Sequence, residues 1–215
     1  NYGTTMKEAK DDVARIKSIL KSLAIQDSYI HCDAALAGSY GAFVEPRVPF
    51  DFKDGADSVA ISGHKFIGSP IPSGVIITKK SNRDRIAKGV SYIGSFDTTI
   101  TGSRNGHSPL FLWYALKRMG VEGLRQRFQN SLEVAAYCEK RLNEIGIPAW
   151  RNPSAITIVF PKVHDSIISK WQLATQETIS HIICMPNVTK EQIDNLILDI
   201  QNCEEVVENE YEFSF

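Results

Sequence analysis

The sequence predicts an α/β protein, a mostly parallel sheet whose functional residues lie at the strand ends, followed by a small α+β unit. Three observations carry this. Short apolar runs bounded by turn residues recur at 29–32, 58–61 and 74–78, the length of buried strands rather than helices. Helices or long crossovers separate them, which makes neighbouring strands parallel and places ligands beyond their carboxyl ends. Past residue 146, two further apolar runs alternate with two helical patterns.

The elements follow in order. Met6, Ala9, Val13, Ile16, Leu20 and Leu23 fall at spacings of three and four, so 6–23 reads as an amphipathic helix, with Thr5 and Glu8 as its capping box. After the turn at Asp27-Ser28, the run 29–32 reads as a buried strand that delivers Asp33 at its end. The run 58–61 is a second buried strand, ending at Ser62-Gly63-His64-Lys65, and 74–78 is a third beyond a loop rich in Gly and Pro. In a parallel sheet Asp33 and Lys65 share one rim.

The stretch VSYIGSFDTTITGSRNG, 90–106, is polar and without period, and reads as a long loop of the kind that carries function. Helices are expected at 108–119, stopped by Gly120, and at 122–145, stopped by Gly146 in the position of a C-terminal cap. A strand near 155–160, a helix near 165–175, a strand near 179–185 and a last helix complete the chain, with Thr189 and Gln192 forming the last helix's capping box. The boundaries expected are 1–106 for part of a ligand-binding large domain, 107–145 for connecting helices and 146–215 for a small C-terminal domain. The acidic, aromatic tail EEVVENEYEFSF suggests no role.

Composition narrows the function. With 43% hydrophobic and 23% charged residues in 215, the chain is of ordinary globular type. A net charge of −1 with interspersed signs provides no field to gather nucleic acid or an anionic membrane. No apolar run reaches the roughly 20 residues of a membrane span, and NYGTTMKEAK has no signal-peptide core. Cys32, Cys138, Cys184 and Cys203 are far apart and form no metal-binding spacing, so they read as free thiols of a reducing compartment. A soluble, cytoplasmic protein acting on a small molecule, without a metal, is the expectation.

Lys65 stands between a buried strand and a Gly/Pro-rich loop, a context that suggests a lysine turned inward. A desolvated amine is what Schiff-base chemistry needs, although a structural ion pair would occupy the same place. Asp33 strengthens the first reading, because a carboxylate at a buried strand's rim needs a partner and the pyridinium nitrogen of pyridoxal phosphate is one. It could equally be a turn acid. Ser62 and His64 flank the lysine with groups that suit a phosphate oxygen, though a lone histidine is more often structural.

The segments HCDAALAG (31–38), SGHKFIGSPIPSGVIITKK (62–80), TGSRNGHSPLFLWYALKRMG (101–120) and HIICMPNVT (181–189) resemble the pyridoxal-phosphate-dependent group II decarboxylases. They are most similar to the branch holding bacterial histidine decarboxylases and plant serine decarboxylases. An Asp followed some thirty residues later by Ser-x-His-Lys is shared across fold-type I enzymes, so it points to the cofactor. The 101–120 block points to the decarboxylase branch. The resemblance implies a fold-type I, aspartate aminotransferase-like large-domain portion plus the small domain.

It also implies roles. Lys65 would carry the cofactor, Asp33 would pair with its ring nitrogen, and Ala35 would pack on one ring face. Ser62 and His64 would lie at the phosphate, and Thr5 of the GTT motif near the ring edge and Asp33. The active site would be shared across a homodimer, with Ser103 reaching the phosphate of the neighbouring subunit. Tyr92 falls where relatives keep a mobile loop with a proton-donating tyrosine, and a packing tyrosine is the alternative. Arg104 could be a loop anchor or an interface residue. The implied reaction is decarboxylation of an L-amino acid, histidine first, with serine as the alternative.

The sequence also departs from the family pattern. A complete relative carries a substantial segment before the point matching Asn1, with a glycine-rich phosphate-binding turn, a ring-stacking histidine and much of the substrate pocket. No equivalent turn occurs here. Two classes of reading follow: a working decarboxylase whose complementary N-terminal segment is elsewhere, or a non-catalytic fragment that folds with a partner segment. A desulfurase or aminotransferase of the same fold is a rival. The desulfurase needs a cysteine on a mobile loop, and all four cysteines fall on expected strands or helices.

Overall fold

The computed structural model describes residues 1–99 and 102–212, with the side chains of the last helix as far as Cys203. The chain divides into two units: residues 1–3 and 10–124 form the first, and residues 4–9 with the chain from Arg125 onward form the second.

In the first unit, α1 (Val13–Ser22) begins seven residues later than its apolar stripe suggests. Its N-cap is Asp12, whose carboxylate accepts the Arg15 N–H at 2.9 Å. The expected Thr5/Glu8 box does not form, because Glu8 takes φ +50° and its carboxylate is bound by residues 156 and 157. Only Val13 of α1 is buried.

Strand β1 (His31–Asp33) buries Cys32 and exposes His31 and Asp33, the alternation a pleated strand imposes. Strand β2 (Ser58–Ser62) pairs with it in parallel, His31 opposite Ser58 and Asp33 opposite Ala60. Strand β3 (Gly74–Thr78) pairs with β2 antiparallel, so the expected mostly parallel sheet is instead mixed. The cause is connection length. The 24 residues between β1 and β2 cross over the sheet, whereas the 11 between β2 and β3 contain no helix and can only turn the chain back. Strand β3 lies at the sheet edge, with Ile76 and Ile77 exposed rather than buried.

The core of this unit centres on the crossover. Tyr2 stacks on Phe50 with ring centroids 4.1 Å apart, and Tyr40 meets Phe66 edge-on at 4.8 Å. Arg47 forks onto Asp54, which also accepts the Phe50 and Asp51 N–H groups and so closes the loop that carries Phe50.

Helix α2 (Lys80–Ile86) leads into β4 (Lys88–Val90) and β5 (Ser95–Asp97), an antiparallel hairpin. The stretch expected to be an aperiodic loop is therefore half structured, its Ser91–Ile93 turn ending at Gly94 with φ +63°. Helix α3 (His107–Glu144) follows, broken at Gly120, whose φ of 63° and ψ of −170° are not helical. Two helices meeting at that glycine are what the sequence predicts.

In the second unit α3 ends in a Schellman cap: Ile147 N–H reaches Leu142 O at 3.0 Å and Gly146, at φ +84°, reaches Asn143 O. Strands β6 (Thr157–Pro161), β7 (Ala174–Gln176) and β8 (Ile179–Ile183) form an antiparallel sheet in the order β6-β8-β7. Helix α4 (Asp165–Trp171) is shorter than expected, since Gln172 turns left-handed and 174–176 pairs with β8. Helix α5 (Lys190–Glu212) opens with the predicted capping box, Thr189 N to Gln192 Oε1 at 2.9 Å and Gln192 N to Thr189 Oγ1 at 3.2 Å. Leu142, Ile158, Phe160, Ile193, Leu196, Ile197 and Ile200 pack as one buried cluster. Each contributes about 1.5–3 kcal/mol by leaving water.

Candidate active site

The parallel pairing of β1 and β2 positions the site. Asp33 closes β1 opposite Ala60, and Ser62 stands two residues further along β2, so the carboxylate and the Ser62-to-Lys65 turn lie at the same end of the sheet. A hydrogen bond joins them: Ser62 N–H donates to Ala35 O at 3.0 Å. Asp33 Oδ1 accepts the Ala35 N–H at 3.1 Å, an Asx turn that fixes the carboxylate and leaves Oδ2 for a ligand. Ala35 thus sits between the two.

The turn after β2 is tightly built. Gly63 N–H donates to Ser73 O at 2.9 Å, and Ser69 N–H to Gly63 O at 2.9 Å. His64 Nδ1 lies 3.1 Å from both N and O of Ser73, so the imidazole is tethered to that backbone through Nδ1 in either tautomer. Ser73 Oγ is buried without a hydrogen-bond partner among the described residues, under the same turn. Phe66 and Ile67 take the buried positions, and Lys65 is exposed. The expected inward lysine is corrected here: two apolar neighbours outcompete an ammonium for the interior, as desolvation costs require.

Tyr92, Ser103 and Arg104 meet elsewhere in the first unit. They line a hollow of about 490 Å³ together with Phe96, Asp97 and Asn105, and neither Asp33 nor Lys65 lines it. Tyr92 tops the hairpin at 89% exposure. Arg104 Nη1 donates to Thr99 Oγ1, and Thr99 donates to Asp97 Oδ1 at 2.8 Å from both its N–H and its hydroxyl. Those bonds hold the Asp97 carboxyl below its ordinary range, and they make Arg104 a loop anchor. Thr101, which begins the 101–120 block, lies outside the described residues.

Thr5 belongs to the second unit, exposed in the turn 5–7. All four cysteines are free. Cys32 is buried, and that burial pushes its thiol up. Cys138 is pushed up by its hydrogen bond to Cys184 and by burial, the opposite of an activated nucleophile. Residues missed by sequence reasoning are Ser73, Thr99 and Asp97. The Ser73 contacts reach nine residues back across a loop and carry no sequence signal, whereas Asp97 and Thr99 form a local Asp-x-Thr turn that the sequence could have signalled.

An amine, a carboxylate, a hydroxyl and an imidazole at one sheet end are the donor set of a pyridine-aldehyde phosphate. Residues 1–149 match the model of the pyridoxal-dependent decarboxylase conserved domain. The chain belongs to the pyridoxal-dependent decarboxylase family. Within that family it is 50% identical over 202 residues to a histidine decarboxylase of Mesorhizobium japonicum, covering 94% of this chain and 54% of the relative. It is 46% identical over 202 residues to serine decarboxylase 3 of Oryza sativa subsp. japonica, covering 93% and 45%. Among solved structures, the L-methionine decarboxylase of Streptomyces sp. 590 superposes with a TM-score of 0.82 at 29% identity, over 93% of this chain and 52% of that one. The fold is that of the fold-type I enzymes. The chain spans about half the length of the relatives it matches.

Proposed function

We propose that this chain carries the cofactor-anchoring part of a pyridoxal-phosphate-dependent amino-acid decarboxylase that acts on histidine. The observation that carries this is the β1–β2 register, which puts Asp33 and the Lys65 turn at one sheet end in a chain 50% identical to a histidine decarboxylase. Serine is the second reading, supported by the 46% identity to a serine decarboxylase.

In this reading Lys65 Nζ would hold the cofactor covalently. Asp33 Oδ2 holds the proton on the ring nitrogen while Oδ1 stays bound to Ala35. Ala35 supports a ring face. Ser62 Oγ and His64 Nε2 bind the phosphate, and Thr5 lies at the ring edge. When bound, pyridoxal phosphate supplies the electron sink for the charge left on the α-carbon as carbon dioxide departs. Tyr92 would offer its hydroxyl as the proton donor. The protein's part is orientation and charge placement.

The enzyme is a homodimer in this reading, Ser103 serves the partner's phosphate, and a complementary segment completes the pocket. Residues 1–106 belong to the large domain, 107–145 connect, and 146–215 form the small domain. A cytoplasmic location fits the four free cysteines. Among the described residues no helix is long and apolar enough to cross a membrane.

The test is titration with pyridoxal phosphate, followed by the visible absorbance of lysine-bound cofactor, and then assay of amine and carbon dioxide release from histidine and serine. A band that Lys65→Ala abolishes is expected, with histamine the favoured product. No band, or one that survives Lys65→Ala, sinks the assignment and leaves the non-catalytic fragment. Alanine or a keto acid as product would mark a different chemistry.

A further inference from the structure

The second unit holds a row of side chains that the decarboxylase reading does not use. Cys203 on α5 has its Sγ 3.6 Å from Ser166 Oγ on α4, and Ser166 Oγ lies 2.8 Å from Nδ1 of His164. His164 is the N-cap of α4, and its Nδ1 also accepts the Ser166 N–H at 3.2 Å. An amide N–H can only donate, so Nδ1 carries no proton and the neutral ring keeps its hydrogen on Nε2. The Ser166 hydroxyl must then donate to Nδ1, which leaves its oxygen to accept from the Cys203 thiol. The direction of the whole row is therefore fixed, from thiol to hydroxyl to imidazole.

Cys203 also differs from the other three cysteines in its surroundings. Cys32, Cys138 and Cys184 are at most 3% exposed. Cys203 is half-buried: it packs against the apolar cluster of the second unit on one side and faces the exposed residues His164 and Ser166 on the other. The core thus holds the sulfur in place without enclosing its acceptors. The neighbouring carboxylates are already engaged. Asp199, one turn before Cys203 on α5, accepts from Lys170 Nζ and Trp171 Nε1, each at 2.7 Å, and Asp165 pairs with Lys162 at 2.8 Å. Their charge is balanced locally rather than left to oppose a negative sulfur.

We propose that Cys203 is a thiol-modification site, activated through Ser166 by His164, and that it takes small disulfides of the glutathione class. A thiol becomes a nucleophile when a base receives its proton, and a nucleophile, a linking group and a base in hydrogen-bond reach are the arrangement that achieves this. In the step, the Cys203 proton passes to Ser166 Oγ while the Ser166 hydroxyl proton passes to His164 Nδ1. Cys203 Sγ forms a bond to one sulfur of the disulfide, the disulfide's own S–S bond breaks, and the departing thiolate leaves with that electron pair. The imidazolium then gives up a proton to the departing thiolate. One thiol is exchanged for another, so no further oxidant enters. The site stands independently of the decarboxylase reading.

The experiment exposes the full chain, folded and at neutral pH, to oxidised glutathione and follows its attachment by intact mass and peptide mapping. One glutathione is expected, on Cys203, with Cys32, Cys138 and Cys184 reacting only after urea unfolds the protein. Ser166→Ala and His164→Gln should each slow attachment roughly five-fold, the effect of losing one net hydrogen bond, with urea midpoints close to wild type because both side chains are exposed. The double variant should be no slower than the slower single variant, since both interrupt one row. Ser166→Thr, which keeps a hydroxyl, should retain most of the wild-type rate.

First attachment at any other cysteine, or none on the folded protein, overturns the assignment of the site. Attachment at Cys203 that either Ser166→Ala or His164→Gln leaves at the wild-type rate overturns the activation, as do additive losses in the double variant, because the two residues then act separately.

Discussion

Gly63 precedes His64 and Lys65, and replacing it with alanine tests the construction of the turn. A methyl group there would stand 2.5 Å from Ser73 Oγ and 2.6 Å from Leu112 Cδ2, against an ordinary contact of 3.4–4 Å. One of the partners must retreat by about 1 Å. Leu112 has a flexible end and can rotate, but Ser73 can yield only by turning its buried Oγ about χ1, because its backbone carbonyl accepts the Gly63 N–H and its backbone N and O hold His64. Overpacking costs about 1–3 kcal/mol and a weakened buried hydrogen bond about 1 kcal/mol, so Gly63→Ala should destabilise the protein by about 3 kcal/mol. The same retreat moves the Lys65 backbone and should weaken pyridoxal phosphate roughly a hundred-fold. Urea denaturation and cofactor titration measure the two effects. The control is Gly74→Ala at the far end of the loop, where a methyl meets nothing within 4 Å and stability should hold to about 0.5 kcal/mol. If Gly63→Ala matches that control in both assays, the account of the turn is wrong.

Asp54→Asn should cost about 2 kcal/mol at neutral pH, because the Arg47 guanidinium holds the Asp54 carboxyl at about 2 against an ordinary 3.8 and the side chain is only 10% exposed. A lowered carboxyl stabilises the folded state above the unfolded value, so the gap between wild type and variant should close as pH falls from 3.8 towards 2; a gap that stays constant across acid denaturation curves refutes this. Burial keeps His181 below its ordinary 6.5, so the folded second unit binds fewer protons there than the unfolded chain. Its contribution is complete above that value and is lost as pH falls below it; His181→Gln should flatten the decline in urea midpoint between pH 7 and 5, and an unchanged slope counts against it. Gly146→Ala forces a side chain onto φ +84° and should lower stability by about 1 kcal/mol in thermal melts.

Much of the molecule was legible before its structure, and the legible parts share a physical cause. Strand 74–78, the break at Gly120, the Gly146 cap and the Thr189/Gln192 box are all set by neighbours within a few residues. The candidate set Asp33, Ser62, His64 and Lys65 stands out for the same reason, at the ends of short apolar runs. Apolar periodicity misled where distant residues compete for a side chain. Glu8 suits a helix cap by spacing, yet Ile156 and Thr157, nearly 150 residues away, offer it three buried donors.

The sequence by itself therefore determined the family, the candidate residues and the local punctuation, because turns, caps and strand ends are written in adjacent residues. Only the tertiary structure decided that β3 runs antiparallel, that Lys65 lies exposed above a buried Phe66 and Ile67, and that Tyr92, Ser103 and Arg104 share a hollow. Those outcomes depend on loop length and on which of several groups wins a limited interior, and such contests are settled only when the whole chain packs.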